Sequence, residues 1–227
     1  MRARLEWKLM YQLLPLAVVI GLWGAVALGT TALWLEAPQA VRANGVLMLL
    51  ETGLPLLALF AFGHAATVEW EERTAELTFT YPSGGTALLV YRLLVGLATY
   101  AGMTVVAVTA FSPLLPEMLH SGPANGLRLV GLATPPAAFV GAVGLLGSVI
   151  GRHYAVGLAA GLIPWGLDLI FRGRITRCFY LFQASRPACR GVLEVSLAGN
   201  RALLLAGAVV FLGLVFIVWN RRARAVL

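Results

Sequence analysis

The sequence predicts an all-α polytopic membrane protein with six transmembrane helices, and three observations carry that expectation. Of its 227 residues, 59% are hydrophobic and only 12% charged, whereas about 25% are charged in an ordinary soluble domain. Mean hydropathy is +0.84. Apolar windows long enough to cross about 30 Å of hydrocarbon recur along the whole chain, separated by short polar or Pro/Gly-rich breaks. Helices are the expected form of each window. The bilayer core offers the backbone no water, and the alternating pattern of barrel strands is missing.

The first span is expected at 11–35. It is too long for a signal peptide and lacks the small-residue cleavage pattern, so it is kept as a mature span. The others are expected at 46–67, 87–111, 129–150, 154–171 and 202–219, forming a single transmembrane domain over 1–227 with no soluble domain left over.

Orientation follows from the cations beside the spans. Arg2, Arg4 and Lys8 before the first span, with Arg221, Arg222 and Arg224 after the last, place both termini on the cytoplasmic side of a plasma or inner membrane. An even number of spans agrees. The loop at 172–201 then falls outside while carrying Arg172, Arg174, Arg177, Arg186, Arg190 and Arg201, against the usual bias. Three explanations stay open: a re-entrant fifth span, a loop packed on protein, or a loop that recognises an anionic ligand. The same loop holds both cysteines, Cys178 and Cys189, which are either a disulfide closing the loop or two unpaired thiols. Two thiols without a nearby His do not make a zinc site, and no metal is expected.

Between the second and third spans, 68–85 concentrates four of the ten acidic residues. At helical spacing Glu69, Glu72, Arg73 and Glu76 fall on one face, with Trp70, Thr74, Leu77 and Tyr81 opposite, before Pro82, Ser83, Gly84 and Gly85 turn the chain back. This predicts a short cytoplasmic amphipathic helix. Anionic inner-leaflet lipids repel such an acidic face, so it is either a solvated loop helix with a Glu69–Arg73 pair or a docking surface for a cytosolic protein.

The run GluGluArgThrAlaGluLeuThrPheThrTyrProSer (Glu71 to Ser83), followed by AlaLeuLeuValTyrArgLeuLeu, resembles the permease subunits of type-2 ABC transporters. The matching positions are Thr74, Glu76, Leu77, Tyr81, Pro82, Ser83 and Arg92, about 20 residues in motif, while span count and chain length match in architecture. Arg73 stands where the family usually has Gly, and the basic residues that commonly follow the proline are absent. The resemblance implies that Glu69, Glu72, Arg73, Glu76, Leu77, Tyr81 and Pro82 form a coupling helix seated in a separate cytosolic ATPase subunit. That subunit would hold ATP and Mg, while this chain binds no cofactor. The resemblance also implies a second permease subunit, identical or homologous, and transport directed mostly outward.

The residues agree that any ATPase must be another chain. A phosphate-binding loop needs Gly-x-x-x-x-Gly-Lys-Ser/Thr, and the single lysine, Lys8, has no such setting. Gly144, Gly147, Ser148, Gly151, Gly157 and Gly161 permit close helix approach, between subunits or within one. Polar groups inside spans are costly. Glu51 and Asp168 are therefore candidates to line a pathway, with pairing to Arg42, Arg128, Arg172 or Arg174 as the plainer reading, and His64 reads as a packed or interfacial side chain.

An intramembrane hydrolase would draw on Ser148 with His153, or His64 with Asp168, yet Ser148 and His153 are poorly aligned at five residues and no Gly-x-Ser-x-Gly or His-Glu-x-x-His pattern occurs. A non-transporting membrane scaffold or sensor, recruiting a partner through the acidic helix, fits the composition equally well. The +7 charge is spread over span ends and one loop, which argues against nucleic-acid binding.

Overall fold

The computed structural model describes residues 38–71, 84–111, 123–186 and 195–226, together with Gly24. The expected first span apart from Gly24, the acidic segment beyond Glu71, and Cys189 lie outside the described residues.

Among the described residues there is no strand, and five helices have the length and composition to cross a membrane. They are α1 (Gln39–Gly63), α2 (Gly84–Phe111), α3 (Pro123–Gly151), α4 (Tyr154–Phe171) and α5 (Leu197–Val226). A 3-10 turn at His64–Ala66 and a single helical turn at Val68–Glu71 follow α1, and a second 3-10 turn, Arg177–Phe179, follows α4. α3 is the central helix, packed on α1, α4 and α5, whereas α2 leans chiefly on α1.

Side-chain size explains this arrangement. Leu50, Leu54, Leu57, Ala58 and Ala61 of α1 meet Ala133 and Ala137 of α3 and Tyr100 of α2 in one core. Glycine lets α3 and α4 come closest: a Cβ at Gly157 would stand 2.6 Å from the Gly144 carbonyl oxygen, so no larger residue fits without moving the backbone. Gly147 meets the same surface, with a Cβ there 3.2 Å from Gly157 Cα. These small residues are used within the chain. The outward faces of α2 and α5 remain apolar, with Leu94, Val105, Val106, Val209 and Val210 exposed, as suits helices bathed in hydrocarbon.

The turn at Arg152–His153 is tight. His153 Nδ1 accepts from the Ala155 N–H at 3.1 Å and caps α4, which runs back along α3 to Phe171. At the far end Arg172, in the left-handed region at φ 47°, donates its N–H to the Asp168 carbonyl at 3.0 Å and stops the helix.

The last helix departs from expectation in an informative way. It begins at Leu197, ahead of the 202 boundary suggested by hydropathy, so Arg201 sits within it. A guanidinium at that depth is tolerated because a carboxylate on α1 meets it.

Candidate functional site

Two polar constellations stand out, one at each end of the bundle. The first surrounds Glu51. It lies ten residues beyond Val41, where the apolar stretch of α1 begins, and faces Arg201, four residues into that of α5. Its side chain is fully buried. Arg201 of α5 pairs with Glu51 Oε1, the Ala184 N–H donates to the same oxygen at 3.2 Å, and the Ser185 N–H donates to Oε2 at 2.8 Å. The loop after α4 has therefore folded back between the helices.

Asp168 holds the other side of that loop. It accepts from the Thr176 hydroxyl and, through Oδ2, from the Leu181 N–H at 2.8 Å. Asn200 Nδ2 donates to the carbonyls of Cys178 at 2.8 Å and Tyr180 at 3.0 Å, and Arg201 Nη1 to that of Leu181 at 3.1 Å. Trp165 Nε1 ties α4 to α1 through the Thr52 carbonyl at 3.0 Å. Tyr180, Leu181 and Phe182 are buried against Leu59, Val140 and Leu204. Irregular backbone at membrane depth is viable only where protein satisfies it, and these carboxylates and amides do so.

Of the three explanations open for the basic loop, the structure shows one directly: at least 180–185 is packed on protein. Glu51 and Asp168 are inside the bundle, turned to the loop's N–H groups. The partner of Glu51 is Arg201 rather than Arg42, Arg128, Arg172 or Arg174. Sequence reasoning counted Arg201 only among the loop's cations and passed over Asn200 and Thr176. The available signal was the Asn200–Arg201 pair just ahead of an apolar run, facing a lone acid in another span.

Burial, followed by the nearby Asp168 charge, pushes the Tyr180 phenol up to about 12. Its hydroxyl is buried without a hydrogen-bond partner among the described residues.

The second constellation frames the acidic segment. Trp70, in the turn Val68–Glu71, stands edge-on to the buried Trp219 of α5, with ring centroids 5.2 Å apart. The Arg222 guanidinium lies 5.7 Å from the Trp70 ring centre. Arg222 also donates to the Val149 carbonyl and, at 2.9 Å, to that of Ile150, where α3 ends with unpaired carbonyls and its negative dipole end. On the return side, the Thr86 hydroxyl donates to Asn220 Oδ1 at 2.6 Å. Both flanks of 72–83 are thus fastened to one turn of α5, 219–222.

Of the expected docking residues, Glu69 lies in the turn beside Trp70, while Glu72, Arg73, Glu76, Leu77, Tyr81 and Pro82 lie outside the described residues. His64 stacks on Tyr154 at 3.6 Å between ring centroids. The Ser148 hydroxyl is buried with no hydrogen-bond partner among the described residues and lies against Gly157. Cys178 is half-buried. An apolar cavity of about 310 Å³, lined by Phe62, Leu94, Tyr100, Gly141 and Phe216 among others, opens between α1, α2, α3 and α5. No protein-family model, curated protein or solved structure matches the chain.

Proposed function

We propose that this chain is the membrane-spanning permease subunit of an ATP-driven transporter of the type-2 ABC kind, acting as an exporter. It would work with a second permease chain and dock a separate ATPase through residues 69–82.

The observation that carries the reading is the double fastening of the acidic segment to Trp219–Arg222. A docking element that passes on the movement of a partner must be stiffly joined to the part it moves, and α5 runs the full length of the bundle. A solvated loop needs no such mount. ATP-driven approach of two ATPases would displace the paired segments, and through α5 the helices that bound the pathway, as rigid bodies. The chain supplies path and joint, while ATP, Mg and hydrolysis belong to the partner.

The test is a mild-detergent capture of the tagged protein from its native membranes, with mass spectrometry of the partners and an ATP hydrolysis assay on the eluate. An ATPase subunit should co-purify, and Glu72→Lys with Glu76→Lys should abolish both capture and hydrolysis while membrane insertion persists. Undiminished capture by the double variant removes the docking role of that face. Recovery of a partner without ATPase activity turns the chain into a recruiting scaffold.

A further inference from the structure

We infer that the arginine turn after α4 and the apolar groove beside it bind one anionic glycerophospholipid from the surrounding leaflet. The inference is independent of whether an ATPase docks at the opposite end.

The groove, about 580 Å³, runs between α4 and α5 over α3. Its floor is Phe139 and Gly207, packed so closely that a Cβ on Gly207 would stand 2.9 Å from the Phe139 ring. Pro164 and Phe211 stand at its sides, and Thr176 and Phe179 close its upper end. Along α5 it extends from Leu203 to Phe211, about 12 Å at 1.5 Å per residue, a length suited to a stretch of acyl chain.

The residues that close the groove belong to the turn that carries the charge. Arg172, Arg174 and Arg177 are exposed and make no ion pair among the described residues. The turn is tight, with the Arg177 N–H donating to the Gly173 carbonyl at 2.8 Å, so the three guanidinium groups originate within six residues. The carboxylates of Glu51 and Asp168 are already taken by Arg201 and by loop N–H and hydroxyl groups. Among the described residues of this end, Arg42, Arg128, Arg172, Arg174, Arg177, Arg186 and Arg201 outnumber Glu51 and Asp168 by seven to two. The excess calls for an anion from outside the chain.

Two features select a lipid over a soluble anion. Ile170, Phe171 and Ile175 are exposed among the arginines, so the turn sits at an apolar–polar boundary where long cationic side chains reach toward headgroups. The groove also continues the site downward along helices that face hydrocarbon. Phosphate is the fitting headgroup anion because the guanidinium fork matches its oxygens.

The experiment uses the full-length protein, delipidated in a neutral detergent and titrated with phosphatidylglycerol, phosphatidylcholine or soluble glycerol phosphate. Native mass spectrometry and the thermal midpoint serve as readouts. Phosphatidylglycerol should be retained at one molecule per chain, at least tenfold more tightly than phosphatidylcholine, and raise the midpoint, while glycerol phosphate does neither. Arg172→Gln, Arg174→Gln and Arg177→Gln together should erase that preference. Ala206→Phe, which narrows the groove without changing charge, should weaken retention of both lipids. Equal retention of the two lipids by the unaltered protein overturns the inference without any variant. So does an equal shift with glycerol phosphate, or a groove that cross-linking shows covered by residues 11–35 or by a second copy.

Discussion

The two ends of this bundle solve the same problem, joining irregular chain to membrane helices, by opposite means. At the Glu51 end, the loop enters the interior, and buried acidic side chains hold it through its backbone N–H groups. At the Trp219 end, the described flanks of the connection, at Trp70 and Thr86, are held by an aromatic pair, a guanidinium on helix-end carbonyls and one hydroxyl–amide bond. The difference follows from burial. Backbone enclosed between helices has no water to fall back on, so its donors need strong internal acceptors. Backbone at the margin needs only orientation, which weaker and more exchangeable contacts supply.

The sharpest way to break the contrast is Glu51→Ala. It strands Arg201 in the interior and removes the acceptor of two loop N–H groups, so a loss of about 3–5 kcal/mol is expected, read as a large fall in the thermal unfolding midpoint in detergent. Combining Glu51→Leu with Arg201→Met should recover part of that loss, because the uncompensated charge is gone while the N–H groups of Ala184 and Ser185 stay unanswered. Full recovery would mean that the pair serves only its own charges and not the loop.

At the other end the expected effect is smaller and local. Arg222→Ala removes a half-exposed contact worth about 1 kcal/mol. Hydrogen exchange should rise at 68–71 and at the end of α3, with little change around Glu51. A global fall as large as that of Glu51→Ala would erase the distinction between the two ends.

The smallest effect concerns Tyr180. Its phenol has a folded value of about 12 against the ordinary 10, so folding favours the protonated form. That contribution is complete below pH 10 and is lost as pH rises from 10 through 12. Tyr180→Phe removes a buried hydroxyl without a partner among the described residues, so stability at pH 7 should hold or rise by up to about 1 kcal/mol, and loss of stability above pH 10 should lessen. A clear loss at pH 7 would show that the hydroxyl is held by a group the described contacts lack.

Much of this was legible in the linear chain. Runs such as Leu54–Phe62 and Leu203–Val218 announce membrane helices by composition alone, since transfer of apolar side chains is nearly additive along a segment. Glu51 and Asp168 stood out for the same reason, as charges where charge is costly. Their partners were not legible. Arg201 looked like the end of a polar loop, and hydropathy accordingly started the last span after it.

The sequence by itself determined a helical membrane architecture, the intramembrane positions that demand compensation, and an acidic segment between two spans. Only the tertiary structure decided how those demands are met. Glu51 and Arg201 are 150 residues apart, and their pairing depends on a loop turning inward between α4 and α5. Likewise Trp70, Thr86 and the 219–222 turn of α5 meet only because the end of α1, the start of α2 and the end region of α5 lie side by side. Hydropathy is a sum over neighbours in sequence, whereas an ion pair or a hydrogen bond is a relation between neighbours in space.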